Sequence, residues 1–311
     1  MVTKNNFLKI LGDNILIGDG AMGTVLQGLG IFTSPDLFIS KDESSFKILP
    51  EVHLSYLKSG SNIIQASTFG ANPIKLESEG LLKEIKNINE KAVFCAKIAV
   101  DGYKSANKNT ITSQKPVFIA GNIGPTGKLL EPFGDISYKA AVEAFYRQAD
   151  ILVSTKMVDI FLIETMMDIN EALAAIEGVK NTGQDIAIVC TLTFNEIGVT
   201  IMGNKAADSV KALMEAGCAA VGANCSVGSD KMLETVKKMR EADPDARLIF
   251  QPNAGLPKLA AGITSYSETP EIMADNMGKY LAYNPSILGA CCGSTPKHIK
   301  KIAQLVKKKS A

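Results

Sequence analysis

The turn Gly18-Asp19-Gly20-Ala21-Met22-Gly23 follows the first apolar run of the chain, and its reading decides between two α/β architectures. Gly18, Gly20 and Gly23 fit the G-x-G-x-x-G spacing that opens a dinucleotide-binding, doubly wound sheet. Two features oppose that reading. Asp19 would face a pyrophosphate, and no ribose-binding carboxylate ends the next apolar run. Outward from the turn, one theme repeats: a short apolar run, a small or polar residue at its end, then a long amphipathic stretch. The runs are residues 15–18, 62–67, 117–121, 160–164, 186–193, 219–224, 247–252 and 286–290. They are rich in Ile, Val, Leu, Phe and Ala with little polar alternation, which suits parallel strands buried on both faces. Between them, residues 138–156, 170–181, 206–216, 231–241 and 270–283 carry charges at three- and four-residue spacings opposite Leu, Met, Ile and Ala, the pattern of surface helices. Eight such units in 311 residues predict a (β/α)8 TIM barrel, one α/β domain over residues 1–311.

Two departures from the minimal unit are visible. Residues 29–50 read as a long connection containing Pro35, and residues 105–114 as an exposed polar loop. A second domain would need more apolar residues than either supplies, and nothing reads as an interdomain linker.

Apolar residues make up 46% and charged residues 21%, enough for a sizeable core and against a disordered chain. With 33 basic and 32 acidic side chains, the net charge of +1 provides no broad field for nucleic acid or an anionic membrane. The apolar runs fall short of a membrane span. The opening residues Met1 to Asn6 lack an export signal, so a cytoplasmic protein is expected. Six cysteines are too sparse for a disulfide scaffold; in a reducing compartment, grouped cysteines favour metal binding or catalysis.

In a TIM barrel the chemistry assembles at the C-terminal ends of the strands. Those ends are Asp19, Ser67, Asn122, Glu164, Thr193, Cys225, Asn253, and Cys291 with Cys292. Cys95, Cys190 and Cys218 fall inside elements and read as small buried apolar residues. Cys225, Cys291 and Cys292 close strands six and eight and can face one point across the mouth. Three thiolates with an open fourth position make a catalytic rather than a structural zinc site, and Gly289 and Gly293 would let the backbone bend so that both adjacent sulfurs reach one metal. Such an electron-rich zinc is poorly suited to splitting water. It suits a substrate thiol, which binds, loses its proton and stays nucleophilic. A free thiol with a pKa of about 8.5 is only a few per cent ionised at neutral pH, so metal binding contributes roughly 2 kcal/mol through ionisation alone. Zinc hydrolysis would need a general base beside the metal. Neither histidine serves: His53 lies in an amphipathic helix and His298 begins the last one.

Asp19 and Glu164 can bind an ammonium group, and the backbone N–H groups of residues 20–23 a carboxylate. Together they would recognise an α-amino acid whose side-chain thiol reaches the zinc. Asp19 could instead cap a helix, Glu164 could be a solvated strand end, and the pair could act as an acid–base couple.

At this point the chain resembles the homocysteine S-methyltransferase family. The resemblance runs from Gly18-Asp19-Gly20-Ala21-Met22-Gly23-Thr24 to Cys291-Cys292-Gly293-Ser294-Thr295-Pro296. Between them lie Gln65-Ala66-Ser67-Thr68-Phe69-Gly70, Gly121-Asn122-Ile123-Gly124-Pro125-Thr126-Gly127, Ile163-Glu164-Thr165, Gly222-Ala223-Asn224-Cys225-Ser226 and Gln251-Pro252-Asn253-Ala254-Gly255-Leu256-Pro257. The family implies a barrel that binds Zn2+ through three cysteines, here Cys225, Cys291 and Cys292, with homocysteine as the thiol. It implies Asp19 and Glu164 at the amino group, the backbone of Gly20 and Ala21 at the carboxylate, and Asn224 supporting the site. Ser67 stands in the substrate region where relatives often carry Asn. The motifs are most similar to the homocysteine module of cobalamin-dependent methionine synthase. With the chain stopping at Ala311, the expected methyl donor is a methyl-corrinoid on a separate protein. S-methylmethionine or betaine as donor, and a non-catalytic zinc component docking a corrinoid protein, are the alternatives.

Overall fold

Each short apolar run becomes a strand because alternate side chains are buried on opposite faces of one sheet. The computed structural model describes residues 2–107, 116–260 and 263–310. Its barrel strands are β1 Leu16–Ile17, β2 Ile63–Gln65, β3 Phe118–Ile123, β4 Ile160–Met166, β5 Ala187–Leu192, β6 Ala220–Gly228, β7 Leu248–Asn253 and β8 Ile287–Leu288. They pair in parallel from β2 in sequence order to β8, and β8 pairs with β1. Asn62 closes the remaining seam. Its backbone N–H donates to the Ile17 carbonyl at 2.6 Å, and its side-chain oxygen accepts from the Ile17 N–H at 3.0 Å. This closed circuit is the (β/α)8 barrel and excludes the open, doubly wound sheet.

The alternation is visible in the core. Leu16, Ile63, Phe118, Ile160, Ala187 and Ile249 fill the barrel interior. Their neighbours Ile17, Ile64, Ile119, Phe161, Ile188 and Phe250 pack beneath the helices. Two or four residues farther along the strands, the inward parity reaches Gln65, Asn122, Glu164, Asn224 and Gln251, so the interior turns from apolar to polar at its C-terminal end.

Three elements differ from the sequence expectation. A helix at Lys4–Asp13, with Thr3 as its N-cap, precedes β1 and buries Phe7 and Leu11 against the lower interior; the Phe7 and Phe118 rings meet edge to face at 5.2 Å. The expected connection 29–50 contains the helix Pro35–Lys41 and the start of Ser45–Ser59. Pro35 occupies the first turn, where no N–H is required of it. After β7, Lys258–Ala260 and Ile263–Ser265 form an antiparallel hairpin. Of the expected polar loop 105–114, residues 105 and 106 end the helix Ile85–Ala106, and residues 108–114 lie outside the described residues. Among the described residues, no helix is long and apolar enough to cross a membrane.

Candidate metal and substrate site

Two bulged strand ends aim the first functional side chains. The β6–β7 register shifts between Asn224 and Gly228, and Cys225 and Ser226 take φ values of 59° and 63°. The β4–β5 register shifts between Ile163 and Met166, where Thr165 takes φ 60°. The left-handed region costs an L-residue about 1–2 kcal/mol, and such strain is kept where the surroundings over-determine it, often at functional sites. Cys291 and Cys292 follow β8, held by Cys291 N–H to the Pro252 carbonyl at 2.8 Å and Ala254 N–H to the Cys292 carbonyl at 2.9 Å. Gly293 then turns the chain at φ 80°. Gly289, by contrast, shows no left-handed φ; it permits close approach, since a Cβ there would stand 3.3 Å from Gly18 Cα.

These backbone paths bring the sulfurs of Cys225, Cys291 and Cys292 within 4.8 Å of one another, with Cys225 and Cys292 at 3.9 Å. A tetrahedral ion with Zn–S bonds of 2.3 Å sets sulfurs about 3.8 Å apart. The trio therefore fits a thiolate-bound metal. Without one, the sulfurs share protons. Hydrogen bonds from Cys225 and Cys291 hold Cys292 down to about 3, and the hydrogen bonds of Cys291 to Cys225 and Cys292, with burial, push Cys291 well up. Cys95, Cys190 and Cys218 are free and buried elsewhere.

Asn224 joins the thiols to the carboxylates. Its side-chain nitrogen donates to Thr165 Oγ1 at 2.7 Å and Glu164 Oε2 at 3.2 Å, and lies 3.9 Å from Cys291 Sγ. Its oxygen accepts from Thr165 N–H at 2.8 Å and Thr191 Oγ1 at 2.7 Å. Glu164 Oε1 accepts from Asn122 Nδ2 at 2.8 Å. Glu164 is buried, not a solvated strand end, and burial pushes its carboxyl up to about 7, with the Cys292 charge adding to the rise. Asp19 is 2% exposed; its Oδ2 accepts from the Gln65 N–H at 2.9 Å and caps no helix. Burial raises its pKa well above the usual carboxylate range, and the nearby charge of Glu164 contributes. Neither carboxylate is ion-paired among the described residues.

Asp19 Oδ1, Ser67 Oγ, Asn122 Oδ1 and Asn253 Oδ1 are buried without a hydrogen-bond partner. A buried polar group left unpaired is costly, and these four stand at the C-terminal ends of strands, where a polar ligand could supply the missing partners. In the first turn, Ala21 N–H donates to Ser294 Oγ at 3.0 Å, and the Ala21 carbonyl accepts from the Tyr56 hydroxyl at 2.6 Å. A Cβ at Gly20 would come within 2.6 Å of Ser294 Oγ. His53 is fully buried with both ring nitrogens unpartnered, and burial lowers its pKa to about 4. His298 Nδ1 accepts from Thr295 N–H at 3.1 Å, and its Nε2 faces the Glu268 carbonyl at 3.0 Å. Neither ring is hydrogen-bonded to a cysteine, Asp19 or Glu164. Sequence reading missed Gln65, Thr191 and Ser294; inward parity would have found the first two.

Residues 16–306 match the profile of the family described as homocysteine S-methyltransferase. The chain belongs to that family of methyltransferases. It is 26% identical over 313 residues to methionine synthase of Mycobacterium tuberculosis, covering 97% of this chain and 25% of that protein. Methionine synthase of Mycobacterium leprae is likewise 26% identical over 313 residues. The chain thus spans about a quarter of the length of these relatives. The homocysteine methyltransferase MmuM from Escherichia coli shares the fold. Its metallated form superposes with a TM-score of 0.78 at 22% identity, over 94% of this chain and 96% of that one. Its oxidised form gives 0.79 at 21% identity, over 96% and 98%.

Proposed function

We propose that this member of the homocysteine S-methyltransferase family is a zinc-dependent enzyme that methylates homocysteine to methionine. The observation that carries the reading is the convergence of Cys225, Cys291 and Cys292 from two distant strand ends to mutual distances that suit one metal ion. Zinc bound there would supply a thiol-acidifying centre at neutral pH. Asn224 fixes the position of Glu164 relative to the sulfurs, and the unpaired Asp19 Oδ1 and the buried Glu164 carboxylate receive the substrate ammonium. That cation removes the repulsion and lowers both pKa values toward the ionised form. The first turn, at Gly20 and Ala21, would hold the substrate carboxylate once the Ala21 N–H exchanges Ser294 Oγ for it, with the unpaired Ser67 Oγ at the end of the next strand. The homocysteine sulfur attacks the methyl carbon as the bond from that carbon to the donor breaks, and the thiol proton leaves to solvent.

A methyl-corrinoid carried by another polypeptide or module is the donor in this reading. The match to methionine synthases over 97% of the chain supports it. Leu29 and Phe32 after β1, Phe133 after β3, and Ile197 and Ile201 after β5 are large apolar side chains left exposed in connections that follow strand ends. A macromolecular donor seated over those connections would cover them.

The test is metal analysis joined to a methyl-transfer assay. Purified protein is expected to hold about one zinc, Cys292→Ala to lose metal and turnover together, and X-ray absorption to show an added sulfur neighbour on homocysteine binding. Full turnover by Cys292→Ala would discard the mechanism. Methyl transfer from S-methylmethionine or betaine, but not methylcobalamin, would replace the donor. Zinc with no response to homocysteine would leave only a docking role.

A further inference from the structure

β2 ends at Gln65 while β3 runs on to Ile123, so the last backbone groups of β3 outrun their partner strand. The even-numbered residues of β3 face that partner. Phe118 N–H donates to the Asn62 carbonyl at 2.8 Å, and the Ala120 carbonyl accepts from Ala66 N–H at 2.9 Å. Asn122 is next in the series, and there a side chain takes over from the strand. The Thr68 hydroxyl accepts from Asn122 N–H at 3.1 Å and donates to the Asn122 carbonyl at 2.6 Å. A hydroxyl can do both at once. Thr68 is fully buried and Asn122 nearly so, and buried backbone groups need such partners.

Thr68 is itself fixed from the surrounding helices. Its carbonyl accepts from Gln148 Nε2, on the helix Tyr138–Ser154, at 2.7 Å. The same nitrogen donates to Asn89 Oδ1, on the helix Ile85–Ala106, at 3.3 Å, and Asn89 Nδ2 returns to the loop at the Ala71 carbonyl, at 2.9 Å. Next to Thr68, the Phe69 carbonyl accepts from Gly124 N–H at 3.0 Å, and a Cβ at Gly124 would fall 2.5 Å from the Phe69 ring. Asn122 then carries the constraint inward. Its side-chain nitrogen donates to Glu164 Oε1 at 2.8 Å and to Gln65 Oε1 at 3.2 Å. Neither Glu164 nor a cysteine is among the hydrogen-bond partners of Thr68.

We propose that Thr68 is a positioning residue for recognition of the substrate's amino group: its hydroxyl stands in for the strand partner that Asn122 lacks, and so holds the amide that orients Glu164. This rests on the reading of Glu164 as a receiver of the homocysteine ammonium.

Calorimetry on the zinc-loaded protein compares homocysteine with 4-mercaptobutanoate, the same thiol acid without the amino group. The ratio of the two affinities isolates what the amino group contributes. Thr68→Val keeps the shape and removes the hydroxyl, and Thr68→Ser keeps the hydroxyl. Thr68→Val is expected to lower the ratio about fivefold, the scale of one hydrogen bond, and Thr68→Ser to leave it near the wild-type value. In an Asn122→Ala background, Thr68→Val should lower it no further, because the two act as one path. The sulfur-to-metal bands of the cobalt-substituted proteins are expected to coincide in wild type and Thr68→Val. Should Thr68→Val not fold, Thr68→Ala is measured in its place, with the same expected loss. A wild-type ratio in the hydroxyl-free variant, an equal weakening of both ligands, or displaced cobalt bands would overturn the role of Thr68 alone. A wild type that takes up no zinc, or binds the two ligands equally, would overturn the proposed reading of the site and this inference together.

Discussion

Glu164 shows how burial can hold a single carboxyl at a loss in the folded protein. Burial and the neighbouring Cys292 charge lift it from the ordinary 4.5 to about 7. In the metal-free, ligand-free protein, the folded state keeps a proton between pH 4.5 and 7 that the unfolded chain has already released. The folded state binds more protons there, so stability falls as pH rises through that window. Glu164→Gln is neutral at every pH. The stability difference between it and wild type, read by chemical denaturation in chelator and reductant, is expected to grow in favour of the variant from pH 4.5 to pH 7. A difference that does not move with pH would reject the burial argument. The same variant is expected to bind homocysteine more weakly, a trade of stability against recognition. Asp19→Asn complements it. The amide keeps the shape but supplies no negative charge for the ammonium, so homocysteine affinity measured calorimetrically should fall about tenfold or more. Zinc content should stay unchanged, because Asp19 contacts the backbone of Gln65 and no sulfur is among its hydrogen-bond partners. These two acids and the three cysteines were legible in the chain because each stands at the end of an apolar run. Tyr266 was not: it follows a short hairpin, and only tertiary packing lays its ring on Gly293, the residue after Cys292.

At the scale of elements, the site depends on how closely strands approach. Gly222 sits in β6 where a Cβ would fall 1.7 Å from the Ile249 carbonyl oxygen of β7. Flexible side chains could yield to such a group, but a neighbouring backbone in register cannot. Gly222→Ala is therefore expected to cost about 3 kcal/mol or more, by over-packing between paired strands. Its urea midpoint should fall well below that of Ala223→Gly on the same strand, and equal midpoints would contradict the geometry. Because β6 carries Asn224 and Cys225, any folded Gly222→Ala should also hold zinc poorly. The strands were readable from sequence for the same reason that they are rigid. Both faces are buried, so the runs are almost purely apolar. The helix Lys4–Asp13 escaped notice because it precedes the first strand, outside the repeating unit, and its place under the barrel is fixed by tertiary contacts: Phe7 against Phe118, and Lys4 Nζ donating to the Gly217 carbonyl at 3.1 Å. The strand ends were placed to within a few residues. The bulges at Thr165 and Cys225 were not foreseen, since the left-handed φ values belong to residues that ordinarily avoid them.

Across the whole molecule, stability and chemistry occupy opposite ends of the barrel. The lower interior is sealed by Phe7, Leu11, Phe118 and Ile160, while the upper end is a polar chamber with four orphaned oxygen atoms and three adjacent thiols. The apolar end contributes packing and asks nothing of a ligand. In the proposed function, the polar end gains its missing partners when metal and substrate bind. Ligand binding stabilises the folded state in proportion to the logarithm of ligand concentration over Kd, and that stabilisation should act first where the ligand makes its contacts. Hydrogen exchange with and without zinc is therefore expected to show added protection at residues 222–229 and 289–295, which zinc would tie together, and little change in residues 4–13 or the first residues of β3. Phe7→Ala should do the reverse. Loss of a buried aromatic ring costs about 3–5 kcal/mol, so its melting temperature should drop sharply while zinc stoichiometry and the cobalt spectrum hold. If chelation instead loosened the barrel floor as much as its mouth, the two ends would be one cooperative unit, and their division of labour would be wrong.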